Sequence, residues 1–196
     1  MSICNVYLDG DRALLAVDTA GRDLAGKPGE WSKLEIVPHA GVALGFRGER
    51  VLCFQVLAQV HMVPGGESFD ALEASMGARL KWALDAFRAN VKPALVAASE
   101  CEVMLVGWSA KRGRMAAVGF YLAAGGKGFE RSEVQHCRLA PNVKDPPVPT
   151  DGAEMQAVAR LQVAEIRSRS DAPIGGRLLV AEIWPGRVEL SYRGNI

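Results

Sequence analysis

The 196-residue chain has no sustained apolar run approaching the ~20 residues that a membrane helix needs, so no membrane span is expected. Asp9 and Asp11 come too early for the apolar core of a signal peptide, and a cytoplasmic protein is expected. The four cysteines, Cys4, Cys53, Cys101 and Cys137, are far apart and form no Cys-x-x-Cys pair. They read as reduced, buried thiols. His39, His61 and His136 are scattered without metal-ligand spacing, so neither a metal nor a cofactor is expected. Charge of one sign is missing as well: 23 Lys and Arg stand against 22 Asp and Glu. No basic run with interleaved aromatics is present, which argues against nucleic acid or a membrane surface as partner. There is no phosphate-binding loop in the sequence.

What is present is an ordinary globular composition, 49% hydrophobic and 23% charged, in a length that suits one domain over residues 1–196. Residues 3–8 and 12–18 read as two strands joined by Asp9-Gly10, a pair that supplies the positive φ angles of a tight hairpin turn. Alternation puts Leu14, Ala16 and Asp18 on one face of the second strand and Ala13, Leu15 and Val17 on the other. A strand apolar on both faces is sandwiched, and Asp18 then ends a buried strand where a carboxylate needs a partner.

Residues 19–30 are polar and Gly-rich and read as a loop; residues 31–38 and 41–46 form the next hairpin, with Lys33 early in its first strand. Residues 50–62 are apolar nearly all round, which predicts a buried helix, broken by Pro64-Gly65-Gly66. A second helix starts at the N-cap Ser68, carries Leu72, Met76, Leu80, Leu84, Phe87 and Val91 at spacings of three and four, and stops at Pro93. Strands over 101–108 and 114–122, a short strand over 133–139, an irregular proline-rich stretch over 141–149, a helix over 151–169 and strands over 177–184 and 187–192 complete the chain. Antiparallel hairpins separated by helices predict an α+β fold of two mostly antiparallel sheets between helical layers, a four-layer αββα sandwich.

Ser2 follows the initiator methionine. With Met1 removed it would carry a hydroxyl nucleophile and an α-amine titrating near pH ~7.7–8.0, able to act as its own base. The segment AVDT ends at Thr19, and Lys33 is followed by an alternating strand, a short turn and VALGFRG. Late in the chain SDAPIGGRLLVAEI contributes Asp171, Gly175 and Gly176. These segments resemble the proteasome β-subunit group of N-terminal nucleophile (Ntn) hydrolases, which includes the bacterial peptidase HslV. Ile174 stands where that pattern often has serine, and the group's internal Gly-Ser-Gly segment is not found.

The resemblance implies an amide-bond hydrolase, a peptidase or amidase, acting on a peptide or amide substrate. It casts Ser2 as nucleophile, Lys33 as electrostatic partner, Asp18 as the group that fixes Lys33, Gly45 N–H as oxyanion donor and Asp171 as the acceptor orienting the terminal amine. It also implies a homo-oligomer, ring or dimer, and, by analogy with HslV, a separate ATPase. The alternative is a catalytically inert proteasome-like protein used for binding or assembly. Cys4, on the same strand face as Ser2, is the one rival nucleophile, with a buried small apolar role as its other reading.

Overall fold

In a computed structural model, which describes residues 2–22, 27–62 and 67–196, the chain forms two five-stranded sheets, a two-stranded ribbon and four α-helices. Met1 and the Pro64-Gly65-Gly66 break lie outside the described residues. Strands β1 (Cys4–Asp9) and β2 (Arg12–Asp18) form the expected hairpin, with Gly10 at φ +46 in its turn. They join β10 (Cys137–Arg138), β11 (Arg177–Trp184) and β12 (Arg187–Asn195) in the order β10-β1-β2-β11-β12. The second sheet runs β5 (Leu34–Val37), β6 (Val42–Gly48), β7 (Cys101–Ser109), β8 (Arg114–Leu122) and β9 (Glu130–Val134). Every pairing is antiparallel.

Three buried clusters follow from strand alternation. Val6, Ala13, Leu15, Val17, Ala43, Met104, Val106, Ala117, Leu179 and Ala181 meet in one cluster that takes residues from both sheets. The other face of β2 and β11 supplies Leu14, Ala16, Leu178 and Val180, packed with Met155, Ala159 and Val163 of helix α4 (Gly152–Arg167). The other face of the second sheet supplies Leu44, Phe46, Val103, Leu105 and Val118, packed with helices α1 (Arg50–Met62) and α2 (Phe69–Asn90). Ser68 caps α2 by accepting from Ala71 N–H, and the stripe Leu72, Met76, Leu80, Leu84 and Phe87 is buried. Each such side chain contributes about 1.5–3 kcal/mol, which outweighs any difference in helix propensity along α2.

Four local expectations are revised. Residues 19–30 are more than a loop: β3 (Ala20–Arg22) pairs with β4 (Pro28–Glu30), tied in by Trp31 N–H donating to Thr19 O at 3.0 Å. Pro93 ends α2 but also opens α3 (Pro93–Ala98), because proline at the first helical position gives up a donor that has no partner there. The single strand expected at 133–139 is two strands in different sheets, so the chain crosses between sheets around Gln135 and His136. Helix α1 is not covered all round: Phe54 and Met62 are exposed. Among the described residues no helix is long and apolar enough to cross a membrane, and no group of three or more His, Cys, Asp or Glu could hold a metal ion.

Candidate functional site

Three of the five residues singled out from sequence converge at one end of β2. Lys33 Nζ donates to Ser2 Oγ at 2.9 Å and to Asp18 Oδ1 at 2.8 Å, and its third donor goes to the Ala20 carbonyl. Three acceptors match the three N–H groups of an ammonium. The pair is closed to water, with side-chain exposure of 1% for Lys33 and 0% for Asp18. Burial holds Lys33 below the ordinary lysine range, while the charge of Asp18 and its hydrogen bond pull it back up. Burial likewise pushes Asp18 up, opposed by Lys33 and by the amides of Ile3 and Gly175.

The chain path explains these contacts. Asp18 is the last residue of β2, opposite Leu178 of β11, so its carboxylate reaches past the sheet end. There it accepts from Ile3 N–H at 2.9 Å and Gly175 N–H at 3.0 Å. Gly175 and Gly176 have φ of +110 and +76, values that favour glycine. A Cβ on Gly176 would lie 2.7 Å from Thr19 Oγ1, so the doublet allows this turn to close on the end of β2. Ile174, noted as a departure from the family pattern, is buried against α4, and its carbonyl accepts from Arg167 Nη2 at 3.1 Å.

Gly45 and Asp171 stand outside this cluster. Phe46 N–H donates to Lys33 O at 2.8 Å, so alternation turns the N–H of Gly45 to the opposite edge, toward Met104 of β7. The expectation that Gly45 N–H is an oxyanion donor is corrected on that ground. Gly45 is glycine for packing: a Cβ would sit 3.0 Å from Leu15 and 3.1 Å from Cys4 Sγ. Asp171 is exposed and, among the described residues, has no hydrogen bond to Ser2, Asp18 or Lys33. Cys4 is buried between the sheets, and burial pushes its thiol up to about 12, which removes it as a nucleophile near neutrality.

Ser2 lines a cavity of about 290 Å³ with Arg47, Gly48, Glu100, Cys101, Glu102, Tyr121 and Ala172. Sequence reasoning missed Gly48, although it lies inside the quoted VALGFRG. Its φ is +99, and a Cβ there would fall 2.0 Å from the Glu100 carbonyl oxygen. The backbone partners Ile3 and Ala20 carried no signal in the sequence, whereas Gly175 was marked by the Gly-Gly doublet.

No family model matches the sequence, and no curated protein matches it. Solved structures do. An Anbu protein described as an ancestral beta-subunit, from Yersinia bercovieri, superposes with a TM-score of 0.66 at 10% identity, over 98% of this chain and 87% of that one. A Gly-1 mutant of Anbu from Hyphomicrobium sp. strain MC1 gives 0.65 at 11% identity, over 99% and 88%. A further Anbu structure from that strain gives 0.65 at 9% identity, over 98% and 87%. The fold is therefore mixed α+β and is shared with these Anbu structures. The expected tie to HslV is corrected by these neighbours: they are Anbu proteins, and at such identity they share the fold and fix no branch.

Proposed function

We propose that the chain is an N-terminal-serine amide-bond hydrolase, a peptidase or amidase in which Ser2 becomes the nucleophile once Met1 is removed. The observation that carries this is the buried Lys33 ammonium held between Asp18 and Ser2 Oγ. Burying that ion pair is costly for folding, and a function at Ser2 accounts for keeping it. In this reading Ser2 Oγ attacks a carbonyl while its freed α-amine takes the proton, directly or through one water. Lys33 stabilises the developing alkoxide and disfavours protonation of the amine, and Asp18 fixes Lys33.

Gly48 takes the oxyanion role. Alternation along β6 carries its N–H to the same edge as Phe46 N–H, beyond the last β5 pair, and Gly48 lines the cavity with Ser2. Asp171, next to Ala172 of the cavity lining, would orient the terminal amine once it is freed. The supporting frame is a single domain arranged as four layers, αββα, a reading that the three stacked clusters support.

Intact mass of the protein from its native host, followed by β-lactone treatment and adduct mapping, tests the mechanism. The expected result is a chain without Met1 and an adduct on Ser2 that Ser2→Ala abolishes. A retained Met1, or a processed chain with no Ser2 adduct, overturns it.

The chain also associates with copies of itself, a reading supported by the exposed Phe54, Trp82 and Leu161 and by the name ancestral beta-subunit borne by the Yersinia neighbour. Sedimentation velocity should show an oligomer; a monomer at every concentration would sink that part. The analogy that implied a separate ATPase falls with the HslV branch, so no such partner is proposed.

A further inference from the structure

The face of the second sheet that meets the first is apolar for most of its length and then changes character. Successive rungs across β6, β7 and β8 on this face are Ala43, Val106 and Ala117, then Gly45, Met104 and Gly119, then Arg47, Glu102 and Tyr121. The last rung forms a wall of the cavity that Ser2 lines. Glu102 is 3% exposed and is paired with Arg47 Nη1 at 2.8 Å through one oxygen and with Arg138 Nη2 through the other. Arg138 comes from β10 in the opposite sheet. It passes over Gly119, where a Cβ would lie 2.6 Å from its Nη1.

Two cations thus share one carboxylate at the end of the inter-sheet core, a net charge of one positive unit. A row of apolar side chains would fill the same space without the desolvation cost, so packing alone does not account for the trio. Arg47 lines the cavity; its buried Nε has no hydrogen-bond partner among the described residues, and neither has Glu102 Oε1, whose contact with Arg138 is an ion pair only. Glu100 also lines the cavity, forms no ion pair among the described residues and is exposed, so water and salt screen it.

We propose that the cavity beside Ser2 is a substrate subsite for an acidic side chain, and that Arg47 reads its carboxylate. The inference rests on the reading of Ser2 as nucleophile, because it names the substrate class of that site. The planar guanidinium fork suits a carboxylate, Glu102 and Arg138 hold the fork at the wall, and about 290 Å³ accommodates one residue's side chain. A charge-assisted hydrogen bond in such a setting favours the acidic ligand over its neutral isostere by about ten-fold.

Binding separates the subsite from the chemistry. The wild-type protein and Ser2→Ala are titrated by NMR with the amides of N-acetyl-glutamate, N-acetyl-glutamine and N-acetyl-lysine. The expected result is about ten-fold tighter binding of the glutamate compound in both proteins, with shifts at Gly48 and Tyr121. Arg47→Met should erase the preference. Arg47→Lys keeps a cation opposite Glu102, decides the matter if Arg47→Met does not fold, and should leave a preference of only a few fold. Equal affinity for the three compounds, tighter binding of the lysine compound, or a preference unchanged in the Arg47 variants overturns the proposal. Ser2→Ala has no nucleophile, so a serine that never reacts would remove the hydrolase reading while the binding preference still decides the subsite.

Discussion

Burying Lys33 and Asp18 strips both ions of hydration, and their mutual attraction, with the Ala20 carbonyl and the Ile3 and Gly175 amides, offsets that loss. Removing one partner should therefore cost more than removing both charges. Lys33→Met leaves a buried carboxylate unpaired and is expected to lower stability by about 3–5 kcal/mol at neutral pH. The loss has a definite pH sign. With Lys33 gone, the folded pKa of Asp18 lies still further above its unfolded value of ~3.9, so stability is full below that value and falls as pH rises through the folded one. Adding Asp18→Asn removes the charge but keeps an acceptor for only one of the two amides, which donate to different carboxylate oxygens, and should recover part of the loss. Denaturant unfolding of both variants from acid to neutral pH checks this, and a double variant no more stable than Lys33→Met would show that the pair is not what holds the region. The triad of Ser2, Asp18 and Lys33 was legible because AVDT and the early lysine are local patterns. The amides that hold Asp18 were not, since the approach of Gly175 to Asp18, 157 positions away, depends on the path of the whole sheet.

At the scale of elements, glycines show where a strand must end and where it could continue. Strand β6 stops at Gly48, whose φ of +99 and contact with the Glu100 carbonyl leave no room for a side chain. Gly48→Ala should cost about 2 kcal/mol or more, and because Gly48 walls the Ser2 cavity, it should also slow β-lactone labelling of Ser2. Gly10, at φ +46 with nothing within 4 Å of an added Cβ, is the control: Gly10→Asn should change stability by no more than about 0.5 kcal/mol. Thermal unfolding of the two variants side by side tests the contrast, and equal effects would refute it. Elements set by local chemistry were readable in this way: the Asp9-Gly10 turn and the Ser68 cap that accepts from Ala71. Elements set by partners were not. The β3-β4 ribbon is polar and short, and the split of β9 from β10 reflects which sheet edge lies nearest, which no periodicity encodes.

Across the whole molecule, a charged clamp fastens the start of α2 to the second sheet. Glu73 of α2 accepts from Arg112 Nη1 at 2.7 Å and Nη2 at 2.8 Å and pairs with Arg131 of β9 at 2.5 Å, while Arg112 also meets Glu133 of β9 at 2.9 Å. Asp70, one turn earlier, accepts from Ser109 Oγ at 2.6 Å and from Lys111 N–H at 3.1 Å. The hydrogen bonds from Arg112, with Arg131 assisting, hold the Glu73 carboxyl down from the usual 4.5 to about 2. A depressed carboxylate stabilises the fold above its unfolded pKa, and that contribution is lost as pH falls through the folded value. The clamp should therefore hold at neutral pH and weaken between about 4.5 and about 2. Glu73 is partly exposed, so screening keeps its worth near ~1 kcal/mol. Glu73→Gln should lose that amount at neutral pH and show a shallower fall in stability across the acid window than the wild type. Acid titrations followed by circular dichroism measure both slopes, and parallel curves would place the acid sensitivity of the fold elsewhere.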